Sequence, residues 1–218
     1  MPVEIKFCGL TRSVDAQQAV ALGAAYVGVI FAGGPRMLTP EAAQEVLANV
    51  PDHVRRVGVF ADQSATEIAR IAKHLELDVV QLHGAWAPDT VAAVRRRFAG
   101  EIWRVIRVET NGLPADLTAN GVGADAILLD AHVRGSTLGG TGVALPWAEL
   151  ASDVGGLRGR VKIVLAGGLR AENVVLAIAA LCPDVVDVSS GVEGSPGVKD
   201  HERMRAFRDA VTHASTPK

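Results

Sequence analysis

The chain has 218 residues, 49% of them hydrophobic and 21% charged, a mixture that supports a folded core. A formal net charge of −2 and an isoelectric point near 6.3 offer no field for a polyanion, which argues against nucleic acid or an anionic membrane as partner; any phosphate must be held locally. No apolar run approaches the ~18 residues that span a bilayer, no signal-like segment opens the chain, and Cys8 and Cys182 make neither a disulfide framework nor a metal spacing. The expectation is a cytoplasmic protein in a reducing compartment.

Short β-branched runs alternate with stretches of helical periodicity along the chain. A strand at residues 4–8 leads to a helix at 13–22, with Ser13 as a capping hydroxyl and Gly23 as a left-handed stop. A strand at 26–31 precedes a helix at 40–48 behind Thr39, and a strand at 56–60 precedes a helix at 64–75 that Ser64 caps. Next come a strand at 79–82, a helix at 88–98 with Pro88 near its start, and a strand at 102–106. The link at 111–123 contains Gly and Pro and reads as a short or irregular helix. The series ends with strands at 126–130, 161–165 and 185–188, separated by helices at 146–152 and 171–181 and followed by one at 200–211.

Alternation of this kind implies parallel βαβ units. Small or acidic residues introduce the even strands (Gly23-Ala24-Ala25, Asp78, Asp125, Asp184), whereas basic or polar ones introduce the odd strands, so the repeat is two βα modules of roughly fifty residues. Four such repeats make a single α/β domain over residues 1–218, a (β/α)8 TIM barrel with a closed parallel eight-stranded sheet. An open doubly wound sheet is the structural rival, but Cys8-Gly9-Leu10-Thr11 stands where its glycine fingerprint belongs.

Barrels of this type gather their chemistry at the C-terminal strand ends. Taken alone, Cys8 reads as a small buried hydrophobe; at the mouth of the first strand it is also a candidate base, held partly as thiolate. Cys182, near a helix end, reads as structural. Asp130 abruptly ends an apolar strand and is either a loop cap or an acid, the latter requiring a raised pKa from burial and substrate charge. Gly167 and Gly168 after strand seven, with Ser190 and Gly191 after strand eight, place backbone N–H groups where barrels often hold phosphate. Gly140, within Gly139-Gly140-Thr141-Gly142, sits in a loop able to close over a ligand or merely to connect. Arg36 is either a solvated arginine or a fork for a carboxylate. His83 is a structural group, an acid or a ligand, and no companion histidines suggest a metal site.

Taken together, Lys6-Phe7-Cys8-Gly9-Leu10-Thr11, Pro35-Arg36, Gln81-Leu82-His83-Gly84, Leu128-Leu129-Asp130, Gly139-Gly140-Thr141-Gly142, Leu165-Ala166-Gly167-Gly168-Leu169 and Asp187-Val188-Ser189-Ser190-Gly191-Val192-Glu193 resemble the phosphoribosylanthranilate isomerase family of tryptophan biosynthesis, almost end to end. Gly34 departs from the serine that commonly precedes the Pro-Arg pair in that family. The resemblance implies a cofactor-free, metal-free Amadori rearrangement of N-(5-phosphoribosyl)anthranilate to 1-(2-carboxyphenylamino)-1-deoxyribulose 5-phosphate. It implies Asp130 as acid, Cys8 as base, Arg36 on the anthranilate carboxylate and the glycine loops on the phosphate; the sequence leaves monomer and homodimer both open. The rivals are a histidine-pathway or bifunctional sugar-phosphate isomerase, which resembles a two-aspartate design, and a barrel that binds anthranilate-like ligands without turnover.

Overall fold

In the computed structural model, which describes residues 2–84, 86–108, 123–130, 150–151 and 154–215, eight parallel strands hydrogen-bond in sequence order and close into a barrel. They are β1 (Glu4–Phe7), β2 (Tyr26–Ile30), β3 (Arg55–Phe60), β4 (Val79–Leu82), β5 (Glu101–Arg107), β6 (Ala126–Asp130), β7 (Lys162–Ala166) and β8 (Val185–Val188). The seam between β1 and β8 sets Lys6 directly against Asp187.

The acidic residues ahead of the even strands have a specific task. The carboxylates of Asp78, Asp125 and Asp184 each accept, at 2.7 Å, the backbone N–H of Arg56, Ile102 and Ile163 at the start of the preceding odd strand. In each case the aspartate's own N–H donates back to the same residue's carbonyl. A strand start that would leave an unpaired N–H is thereby closed, and the twofold module seen in the sequence follows from that pairing.

Outside the barrel lie α1 (Ser13–Ala21), α2 (Pro40–Leu47), α3 (Ala65–His74), α4 (Pro88–Arg95), α5 (Ala171–Leu181) and α6 (His201–Ser215). Val174, Ala177, Ile178 and Leu181 of α5 repeat at helical spacing and are buried, forming the stripe that faces the sheet. Thr39 and Ser64 cap α2 and α3, accepting from Ala42 N and Glu67 N at 3.2 Å. Ser13 does not cap α1. Arg12 is the extended residue at the N-cap position, and its guanidinium grips Asp15 instead. Gly23 closes α1 with φ at +76°. The expected helix at 146–152 and the link at 111–123 lie almost wholly outside the described residues.

The N-terminal end of the barrel is plugged. Tyr26 and Trp103 meet edge to face at 4.9 Å between ring centroids, Lys162 Nζ donates to the Tyr26 hydroxyl at 2.8 Å, and Trp103 Nε1 donates to Glu101 at 2.8 Å. Trp103 is fully buried, so truncating it to alanine costs about 3–5 kcal/mol. The plug leaves the opposite end as the place for a cavity.

Candidate active site

Because side chains alternate along a strand, Lys6 and Cys8 of the β1 segment point to the same face. Both crowd the bare Cα of Gly28 on β2: a Cβ there would stand 3.0 Å from Cys8 Sγ and 3.4 Å from Lys6 Cε. A cavity of about 280 Å³ opens at the C-terminal strand ends. Cys8, Arg36, His83 and Asp130 line it, together with Gly167, Gly168, Ser190 and Gly191. One mouth thus holds every sequence-identified residue except Gly140, which lies outside the described residues.

Electrostatics at the floor differ from the sequence expectation. Burial pushes the Cys8 thiol above its ordinary value, against the pull of Lys6, with Asp187 acting in the same sense as burial and Lys199 acting against it. This direction runs against the expected partial ionisation of the thiol: Cys8 is 5% exposed, and desolvation outweighs the neighbouring cations. Lys6 is fully buried and donates to Asp187 at 2.9 Å. Burial also holds the His83 imidazole below its ordinary value, although Asp130 pulls it up.

Backbone geometry at the β7 and β8 ends suits an anion. Gly167 and Gly168 both adopt positive φ, +89° and +63°. A short 3₁₀ turn spans Ser190–Val192, and a Cβ on Gly191 would stand 1.8 Å from the Leu169 carbonyl oxygen. No side chain fits there, which lets the two loops approach closely. Among the described residues, the N–H groups of Gly168, Ser190 and Gly191 donate to no backbone acceptor. They remain available for phosphate oxygens.

Arg36 does grip a carboxylate, but one belonging to the chain. Its Nε and Nη2 donate to Glu193 at 2.8 and 2.6 Å. Lys199 Nζ adds a bond to Glu193 at 2.9 Å. The result is a rim knot that fixes the loop after β2 against the hairpin of β9 (Glu193–Ser195) and β10 (Val198–Lys199). Cys182, expected to be structural, is exposed in the left-handed C-cap of α5 and remote from the mouth. Among the described residues, no three His, Cys, Asp or Glu side chains gather as a metal site.

Sequence reasoning missed Lys6, Gln81, Asp187, Glu193 and Lys199. Lys6 and Asp187 did carry a signal: each is a charge inside an otherwise apolar strand, in period-two phase with a strand-end residue, Cys8 and Ser189 respectively. A charge at such a position faces the barrel interior and needs a partner.

The family model described as N-(5'phosphoribosyl)anthranilate (PRA) isomerase matches residues 5–210. The N-(5'-phosphoribosyl)anthranilate isomerase of Paracoccus denitrificans is 40% identical, covering 100% of this chain and 99% of that one. The crystal structure of phosphoribosyl anthranilate isomerase from Thermotoga maritima superposes with a TM-score of 0.83 at 33% identity, covering 97% and 99% of the two chains. A phosphoribosyl anthranilate isomerase in complex with reduced 1-(o-carboxyphenylamino)-1-deoxyribulose 5-phosphate gives 0.82 at 31% identity, again with 97% and 99% coverage. With eight strand ends converging on one mouth and a match running nearly the whole length, the chain belongs to the phosphoribosylanthranilate isomerase family.

Proposed function

We propose that the chain, as a single barrel domain, converts N-(5-phosphoribosyl)anthranilate into 1-(2-carboxyphenylamino)-1-deoxyribulose 5-phosphate. The observation that carries this is the shared cavity: one thiol and one carboxylate, Cys8 and Asp130, border the same space as the glycine loops.

In this mechanism Asp130 gives its proton to the furanose ring oxygen as the C1–O bond breaks, leaving an iminium on the anthranilate nitrogen. Cys8, whose thiol first releases its proton to solvent, takes the C2 proton as thiolate. The C2–H electrons form the C1=C2 bond, and the iminium pair returns to nitrogen. The resulting enolamine tautomerises to the ketone by exchange with solvent, C1 gaining one proton as the C2 hydroxyl releases another. A carboxyl donor and a thiolate acceptor supply the first two proton transfers, ring opening and C2 deprotonation. A reducing compartment keeps that thiol free.

Gly167, Gly168, Ser190 and Gly191 seat the phosphate through backbone N–H groups, a reading supported by the positive φ of Gly167 and Gly168 and by the close loop approach at Gly191. Arg36 meets the anthranilate carboxylate with the N–H groups not committed to Glu193. His83, held neutral by burial, borders the sugar. Assay of the purified chain with phosphoribosylanthranilate beside the histidine-pathway aminoaldose tests the reading. Turnover of the first alone is expected; turnover of the second alone, or of neither, overturns it.

A further inference from the structure

Lys6 and Asp187 form an ion pair in the barrel interior, at the floor of the cavity that Asp187 lines, where a closed sheet ordinarily places apolar side chains. The pair is costly to bury, and it is incompletely satisfied: Asp187 Oδ1 and the nearby lining atom Gln81 Oε1 have no hydrogen-bond partner among the described residues. Packing alone does not require it. Its position is what distinguishes it, because Lys6 lies two residues before Cys8 on the same inward face and leans with it over Gly28.

We propose that Lys6 and Asp187 are positioning residues for proton abstraction: Asp187 anchors the Lys6 ammonium across the β1–β8 seam, and that ammonium supports the negative sulfur of Cys8 when the thiol has lost its proton. This deepens the assignment of Cys8 as base and rests on it. Burial opposes the charge on Lys6, yet Asp187 and Cys8 together hold its amine above its ordinary value; burial pushes the Asp187 carboxyl above its own, against the pull of Lys6. The other charged groups facing Cys8 are Lys199 on β10 and Arg36 after β2, both already bound to Glu193. Asp130 on β6 and His83 after β4 stand around the same cavity. Lys6 differs from the other two cations in lying on Cys8's own strand and beneath it.

The two partners should then move the thiol in opposite directions. Removing the ammonium makes the thiolate harder to form. Neutralising Asp187 leaves the ammonium less compensated and makes the thiolate easier to form. A pair that only held the β1–β8 seam together, without its charges reaching the sulfur, would leave the titration of Cys8 where it was.

The test uses the full chain with Cys182→Asn, a residue suited to the left-handed cap, so that Cys8 is the sole thiol. Its ionisation is followed across the neutral and alkaline range by iodoacetamide alkylation and by thiolate ultraviolet absorbance. In Lys6→Met the alkylation rate at neutral pH should fall about tenfold, the change expected for one pKa unit; in Asp187→Asn it should rise. The Lys6→Met/Asp187→Asn double variant should titrate near Lys6→Met. Unmoved titrations, or shifts of the same sign, overturn the proposal. Should Lys6→Met not fold, Asp187→Asn alone decides, since an unmoved or upward-shifted titration contradicts it. Opposite shifts combined with full turnover in Cys8→Ala would instead retain the electrostatic effect and remove Cys8 as base.

Discussion

Arg36 and Glu193 meet at the rim through two parallel hydrogen bonds, although 157 positions separate them in the chain. Arg36 therefore holds the loop after β2 in place as well as bordering the cavity. Arg36→Ala should raise KM at least about tenfold, the equivalent of roughly 1.4 kcal/mol, and should also lower the melting temperature, because Glu193 is left with Lys199 alone. Arg36→Lys keeps the charge without the fork and should recover stability better than KM. Steady-state kinetics beside thermal melts check this; an unchanged KM would remove Arg36 from substrate binding.

Glu193 makes a pH-dependent contribution to stability. Burial works against its charge, but the bonds from Arg36 and Lys199 outweigh burial and hold the carboxyl at about 2. The folded value is thus below the unfolded one, so the stabilisation is present above the unfolded glutamate range and is lost as pH falls toward about 2. Linkage puts it on the order of 3 kcal/mol. Glu193→Gln should be less stable at neutral pH and lose less on acidification. Denaturant melts over that range measure the difference, and parallel curves for the two proteins would contradict it.

Gly191 tests the anion seat. A methyl group there collides with the Leu169 carbonyl and must push the β7 and β8 loops apart. Gly191→Ala should weaken competitive inhibition by inorganic phosphate and raise KM more than it lowers kcat. Inhibition by phosphate at wild-type strength would place the seat elsewhere.

The plugged end of the barrel provides the contrasting case. Tyr26→Phe removes the acceptor that Lys162 uses at 2.8 Å, far from the mouth. A stability loss of about 1 kcal/mol is expected with kcat unchanged. Paired melts and kinetics check it; a fall in kcat without a loss of stability would show coupling between the two ends.

Strand positions were legible because each strand is a short apolar run with a marked start and a chemically distinct end. The bounds of β4, β6 and β8, whose preceding aspartates pair with the neighbouring strand, coincide with those read from the pattern. Ser13 was misread because its hydroxyl is a capping residue type, while the backbone turns into α1 one residue earlier, at Arg12. The β9–β10 hairpin is too short to leave a period. Cys8 and Asp130 stood out as reactive groups at strand ends. Glu193 did not, since nothing local joins it to Arg36. The direction of the Cys8 titration was likewise illegible, because it depends on the burial of the sulfur and on the Lys6–Asp187 pair beside it.

The most direct measurement is the turnover of phosphoribosylanthranilate by the wild type, Cys8→Ala and Asp130→Asn, with product-analogue affinity measured on the same preparations. Each substitution should reduce kcat by about 10²-fold or more while affinity and melting temperature stay close to wild type. Wild-type turnover in either folded variant would contradict the division of acid and base between these two side chains.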